Sequence, residues 1–450
     1  MRRSAALLVA TAAALATAAA PATAEPASAD GDLVVRTDVS LDKSHRNVRP
    51  YGTKGARPTS QAAEAEAEWV GHRFIPTAPR RVLDTRSGLG RNGVAGPVGH
   101  GGQIEVPLVG YPENVSAVVL NVTGTSPTAN TYVTVWEGGP IARPQVSTLN
   151  LVPGDTRANS VTTWVSLDHT VNLYNNAGST DLIADVAGYY VYDAPTPGTG
   201  FATPGRYFAT GPSRAYDSRN TGGAFYAGET RSIDFSSFGV PAGATAVALN
   251  ITGVDATAGT YVTAWPSGAT RPNASSLNVT PGGATPNGVT VALGSDRKVN
   301  VYNNAGFVNL IVDITGYYLP TEVGGADFFP TDPGRAYDTR EPGASGAIPP
   351  YTSLTLFFGD AGLFPGDSLL VNLTGTEPTD NTYITPFPSG EARPGTSALN
   401  LAPGQTAPNM ATVRLGSYYD EGSGVSYPAQ DYYNNAGFTH LVIDVFGVFA

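Results

Sequence analysis

The chain has 450 residues, a formal net charge of -11, 41% hydrophobic residues, 53 glycines, 36 prolines and no cysteine. Its length suits about three domains of roughly 150 residues, and its apolar share supports compact folding and excludes a structureless polymer. The acidic balance excludes the basic surface that nucleic acid or anionic lipid requires, and the lack of cysteine leaves stability to packing and hydrogen bonding.

Met1-Arg2-Arg3, the apolar run "SAALLVATAAALATAAA" and Ala22-Thr23-Ala24 form a basic region, a hydrophobic region and an A-x-A cleavage site, so residues 1–24 read as a signal peptide. Secretion is therefore expected. No later run of 18 apolar residues occurs, which predicts no membrane insertion after cleavage. The end at Ala450 carries no sorting motif or hydrophobic tail, so the mature protein is expected to be soluble or loosely attached. Residues 25–72 are too sparse in apolar side chains for a core and read as a flexible leader.

From Arg73 onward the chain repeats itself at a domain-sized period of about 130 residues. Each copy opens with "PRRVLDTR", "PSRAYDSR" or "PGRAYDTR", continues through "LNVTGT", "LNITGV" or "VNLTGT", then "TYVTVW", "TYVTAW" or "TYITPF". Arg-Pro, Ser-x-Leu-Asn, Pro-Gly and a lone Asn (Asn159, Asn287, Asn409) follow, and YNNAG with an Asp-bearing strand closes the unit. Modules are placed at 73–194, 201–321 and 327–450, joined by "APTPGTG" after Asp193 and "TEVGGAD" after Pro320. About eight short Val/Ile/Thr/Tyr-rich segments per copy, punctuated by Gly, Pro, Asn and Asp, predict all-β structure: three tandem antiparallel β-sandwiches, jelly-roll or Ig-like, with little or no helix. "SAVVLNVTG" is apolar at consecutive positions, as in a central strand covered on both faces. The third copy's "SYYDEGSGVSYPAQDYY" reads as a hairpin insertion.

The YNNAG stretch reads as a tight hairpin connection, because Asn and Gly accept left-handed backbone angles. Arginine dominates the positive charge, lysine being confined to Lys43, Lys54 and Lys298, and its planar fork grips carboxylates. Arg81/Asp84/Arg86, Arg214/Asp217/Arg219 and Arg335/Asp338/Arg340, with Asp185, Asp313 and Asp444, are read as a structural ion-pair network pinning the first strand of each module to its last. Strict alternation would put residues 84 and 86 on one face and 81 on the other. A pair of carboxylates per module also fits a glycosidase, and an Arg/Asp site for a polar ligand stays open. None of the five histidines recurs at an equivalent position, and no P-loop, HExxH, GxSxG, zinc or EF-hand pattern is present. No cofactor is expected, and no metal site is assigned, with loop Asp and Asn oxygens keeping calcium open.

Tyr132/Thr134/Trp136, Tyr261/Thr263/Trp265 and Tyr383/Thr385/Phe387 each share one strand face. Tyr132, Trp136, Tyr261, Trp265, Tyr383 and Phe387 are the candidate ligand-binding stripe, on which sugar rings or a neighbouring module could stack; filling the sandwich core is the structural alternative. Pro386 predicts an edge strand in the third copy. The Asn-x-Thr sequons at Asn121, Asn250 and Asn372 fall in predicted strands and read as pleat pattern.

With "PRRVLDTR", "LNVTGT", "RPQVSTLNLVPG" and "YNNAGSTDLIADVAGYY" and their later copies, residues 73 to 450 resemble a repeat module of secreted proteins from high-GC Gram-positive bacteria, found in tandem or fused to wall-active and other extracellular hydrolases. The resemblance implies an accessory, targeting or surface role and carries over no site residues. The chain departs from the fused form of that family, so no catalytic partner domain is expected. The expected function is a secreted, non-enzymatic protein binding cell-wall or extracellular polysaccharide multivalently. The alternatives are a structural or adhesive protein that binds other surface proteins or itself, and a glycan or ester hydrolase using the repeated Asp pairs.

Overall fold

The computed structural model describes residues 33–37, 71–192, 199–359 and 362–450. The predicted signal peptide, most of the predicted leader and residues 193–198 of the first linker lie outside them. The described residues are all β, apart from a single 3-10 turn at Ser236–Phe238.

Strand β1 is Leu33–Thr37. The first module contains β2 (Arg73–Asp84), β3 (Gly102–Pro107), β4 (Val115–Thr125), β5 (Thr131–Glu137), β6 (Leu149–Leu151), β7 (Thr156–Trp164), β8 (Thr170–Asn175) and β9 (Asp181–Val191). The second repeats them as β10 (Arg206–Asp217), β11 (Thr230–Asp234), β12 (Ala246–Val254), β13 (Thr260–Pro266), β14 (Leu277–Val279), β15 (Thr285–Ala292), β16 (Lys298–Asn303) and β17 (Asn309–Leu319). The third has β18 (Phe328–Asp338), β19 (Thr352–Phe358), β20 (Ser368–Thr376), β21 (Thr382–Pro388), β22 (Leu399–Leu401), β23 (Ala407–Arg414), β24 (Gly416–Asp420), β25 (Val425–Asn434) and β26 (His440–Phe449). In the first module an inner sheet β2-β9-β4-β7 packs on an outer sheet β3-β8-β5-β6, and the other modules repeat the order. That interleaving of first, eighth, third and sixth strands against second, seventh, fourth and fifth is a jelly roll, which decides between the two sandwich readings.

Side chains alternating toward the interior build each sandwich core: Val118, Leu120 and Val122 of β4 belong to the same buried cluster as Val133, Val135 and Leu173 of the outer sheet. β4 is buried on its other face as well, because that face meets a neighbouring module. The three modules close around a pseudo-threefold axis. The Asn287 carboxamide accepts from Ser160 N (3.3 Å), Asn409 from Gly288 N (2.7 Å) and Asn159 from Met410 N (3.0 Å), so each inner-sheet edge strand is sealed by an Asn from the next module. Farther along, Phe74, Tyr190, Tyr207, Tyr318, Phe328 and Phe449 form one aromatic cluster, with Tyr190–Phe328 and Tyr207–Phe449 centroids 4.3 and 4.4 Å apart. The closing glycines Gly188, Gly316 and Gly447 are required here, since a Cβ would overlap the rings of Phe74, Tyr207 and Phe328.

Four expectations are corrected. YNNAG is no hairpin: β8 pairs with β3 and β5, and the turn carries the chain from the outer sheet into the inner one. The first Asn acts as a staple, with Asn175 Oδ1 accepting from Thr131 Oγ1 (2.7 Å) and Nδ2 donating to Val98 O (2.9 Å), and Gly178 takes φ +55. Leu33–Thr37 is no part of a structureless leader, since it adds parallel to β19 with Leu33 and Val35 packed on the third core. β21 lies between β25 and β22, although β22 stops opposite Ile384, so only the half containing Pro386 is unpaired on one side. Arg81 and Asp84 share a face because a register shift between Arg81 and Leu83 breaks the alternation, as it does at Arg214/Tyr216 and Arg335/Tyr337. The insertion in the third module forms the hairpin β24–β25.

Candidate functional site

A polar row crosses each inner sheet. In the first module Arg81, Asp185, Asn121 and Ser160 are successive cross-strand partners on β2, β9, β4 and β7. Arg81 grips Asp185 through Nε (2.9 Å) and reaches Asp84 (3.2 Å), while Arg86 closes a second fork on Asp84 at 2.9 and 2.8 Å. The copies repeat this, with Arg214–Asp313 at 2.5 Å and Arg335–Asp444 at 2.8 Å, and with Arg219 on Asp217 and Arg340 on Asp338.

The far side of the row is a neighbouring module. Asp185 accepts from Ser275 N (3.3 Å), Asn121 donates to Ser275 O (2.5 Å), and Asn287 donates to Asn121 Oδ1 (2.9 Å). Asn250 and Asn372 likewise donate to Ser397 O and Ser147 O while accepting from Asn409 and Asn159. The sequon asparagines are thus buried interface groups.

Burial pushes the Asp313 carboxyl up to about 6 against the pull of Arg214, and raises Asp185 and Asp444 in the same way. The Arg86 hydrogen bond holds Asp84 below the usual range, and Arg219 does so for Asp217; at Asp338 burial opposes the effect but Arg340 prevails. Both oxygens of Asp84 and of Asp185 are engaged by N–H donors. A cleft of about 370 Å³ runs past Arg81 and Asp84 on one wall and Pro272 and Asn273 on the other. The axial cavity, about 80 Å³ among Tyr190, Tyr207, Tyr318 and Thr290, is far below the roughly 300–1,000 Å³ of ligand pockets. His72, lowered to about 4 by burial, contacts the more deeply buried Ser116 Oγ (3.0 Å). Among the described residues no cluster of three His, Cys, Asp or Glu side chains is placed to hold a metal.

The predicted aromatic stripe is only partly a surface. Val133 and Val135 face the sandwich core, which turns Tyr132, Thr134 and Trp136 outward. The Arg-Pro loop then folds over that face: Thr134 Oγ1 donates to Val146 O (2.8 Å) and Trp136 Nε1 to Ile141 O (3.1 Å), leaving Trp136 2% exposed. Trp265 and Phe387 are buried likewise, at 4% and 5%. Tyr132, Tyr261 and Tyr383 stay half-buried. They pair with Tyr174, Tyr302 and Tyr433 at centroid distances of 6.2, 6.3 and 6.4 Å. Over the second ring of each pair lies a guanidinium: Arg143, Arg271 and Arg393 at 3.6, 3.6 and 3.7 Å. Asn150, Asn278 and Asn400 stand opposite the first tyrosines on the adjoining strands.

Each module therefore presents one Tyr–Tyr–Arg–Asn patch. The second tyrosine lies in the YNNAG motif, which reads as a turn with a ligand-binding Asn pair as the alternative, and the arginine in the Arg-Pro signature, whose tripling is the available signal.

No family model and no curated protein matches the chain. Among solved structures, an atomic structure of Sulfolobus turreted icosahedral virus is 9% identical over 87% of this chain and 95% of that one, TM-score 0.16. The triple jelly roll of an archaeal virus turret assembly is 10% identical over 89% and 98%, TM-score 0.17. The tandem CBM22-1-CBM22-2 domain of Paenibacillus barcinonensis Xyn10C is 10% identical over 54% and 98%, TM-score 0.15. At these TM-scores the likenesses carry no argument.

Proposed function

We propose that the protein is a secreted, non-catalytic binder of cell-wall or extracellular polysaccharide, engaging it at three equivalent sites. The observation that carries this reading is the Tyr132/Tyr174/Arg143/Asn150 patch and its two copies. Each offers the half-buried ring of its first tyrosine beside amide and guanidinium hydrogen-bonding groups, the second tyrosine lying beneath the arginine and, in the second and third copies, buried, a combination that suits a sugar ring. Mounting three such sites on one frame raises avidity without making any site strong. The engagement of both oxygens of Asp84 and Asp185 by N–H donors supports the non-catalytic part, since a nucleophile or general base needs a lone pair turned toward substrate. In a retention assay on purified cell wall and common polysaccharides, the full chain is expected to be held and the triple variant Tyr132→Ala/Tyr261→Ala/Tyr383→Ala to be released at least about tenfold more readily. No retention of the wild type at any salt concentration defeats the proposal.

A second reading, self-association as an adhesive surface protein, would have to use the outer edges of β3 and β11, against the deterrent of Glu105 and Pro107 on the one and Arg231 and Asp234 on the other. These two strands have no strand partner on their outer side among the described residues, whereas the equivalent β19 is covered by β1. Such a protein would scatter light as a species much larger than one chain.

A further inference from the structure

Arginine in this molecule is generally committed to an acceptor. Arg73, Arg81, Arg206 and Arg231 hold carboxylates, and Arg91 and Arg297 hold backbone carbonyls. Arg143, Arg271 and Arg393 differ. Each lies on a tyrosine face and, among the described residues, donates to no carboxylate or carbonyl, and Arg143 Nη1 is buried without an acceptor.

In a chain of net charge -11, three tyrosine-stacked guanidinium groups without an acceptor at equivalent positions stand apart from most of the rest, Arg157, near Asp155, being another without a hydrogen-bonded acceptor among the described residues. Stacking fixes the plane of the fork while leaving its donor edges unspent. The buried unpaired donor is confined to Arg143 Nη1; what all three share is a half-buried or exposed guanidinium whose remaining donor edges a ligand can reach. The partner that matches a flat aromatic surface beside a planar fork is a pyranose ring bearing a carboxylate, with the ring on the tyrosine and the carboxylate bidentate to the arginine. A net negative molecule repels polyanions at long range, but beyond about 8 Å that repulsion is screened at physiological salt, so local contacts decide.

We infer that the three patches select uronic-acid-bearing polysaccharide. This rests on the proposed reading of the patches as sugar sites. The test is titration of the full chain with polygalacturonate and with neutral dextran at 0.15 M salt (about physiological). Polygalacturonate is expected to bind at least about tenfold more tightly. The triple variant Arg143→Gln/Arg271→Gln/Arg393→Gln is expected to lose that preference while keeping residual neutral-glycan binding, and Arg→Lys at the same positions to restore it only in part. Free galacturonate should displace the polymer from the unaltered protein where galactose and inorganic polyphosphate do not, a measurement independent of any variant's folding. Equal binding of the two polymers, a preference that survives the Gln substitutions, or displacement by polyphosphate as effective as by galacturonate overturns the inference and leaves the sugar-binding reading standing. Failure to bind any glycan removes both.

Discussion

Asn159, Asn287 and Asn409 each satisfy groups that no local structure could reach. Asn287 donates to Ser276 O (2.6 Å) within its own module and to Asn121 Oδ1 of the first, while accepting from the edge amide of Ser160 there. Its carboxamide is fully buried, so truncation strands partners that water does not reach. Asn287→Ala is expected to cost about 1–3 kcal/mol for each buried group left unpaired. Urea unfolding checks it; a midpoint within error of wild type would show that the ring is ornamental to stability. The lone Asn was visible as a repeated letter in the sequence. Its role was not, because its partners stand one module away in the chain.

Among the elements, the edge strands differ in a way that sequence chemistry explains. β3 carries Glu105 and Pro107, and β11 carries Arg231 and Asp234, side chains that discourage another strand from joining. β19 reads TSLTLFF, without charge or proline, and β1 pairs there with Thr37 Oγ1 anchored on Ala336 O (2.9 Å). Leu33 and Val35 supply the apolar contact. The double variant Leu33→Asp/Val35→Asp is expected to speed hydrogen exchange at least about tenfold at those amides of Thr352–Phe358 that face β1, leaving β3 and β11 unchanged. Unaltered exchange there would mean that β1 contributes no protection. Strand existence was readable from β-branched periodicity, including the doubly covered β4. The identity of YNNAG as a crossover between sheets was not, since hairpins and crossovers use the same left-handed turn residues.

At the scale of the whole molecule, the second and third modules keep sandwich cores of their own, and the first module's core is continuous with an axial cluster to which all three contribute. The cluster around Val118 and Leu120 of the first module also contains Tyr207 and Tyr318 of the second and Phe328, Met410 and Phe449 of the third, and the Asn ring links all three. The modules are therefore expected to melt together, in one calorimetric transition that Asn287→Ala displaces as a unit; three separable transitions would contradict coupling through that cluster. Local pattern was sufficient for the all-β class with little helix, because strand alternation and turn chemistry act over a few residues. Closure around the axis, the burial of Trp136, Trp265 and Phe387 beneath the Arg-Pro loops, and the meeting of each Tyr pair with its Arg were decided only in three dimensions. The axial contacts and the Tyr–Arg meetings join segments tens to hundreds of residues apart; the Arg-Pro loops fold back over only 4 to 12 residues, but their irregular course has no periodic pattern by which the chain could announce it.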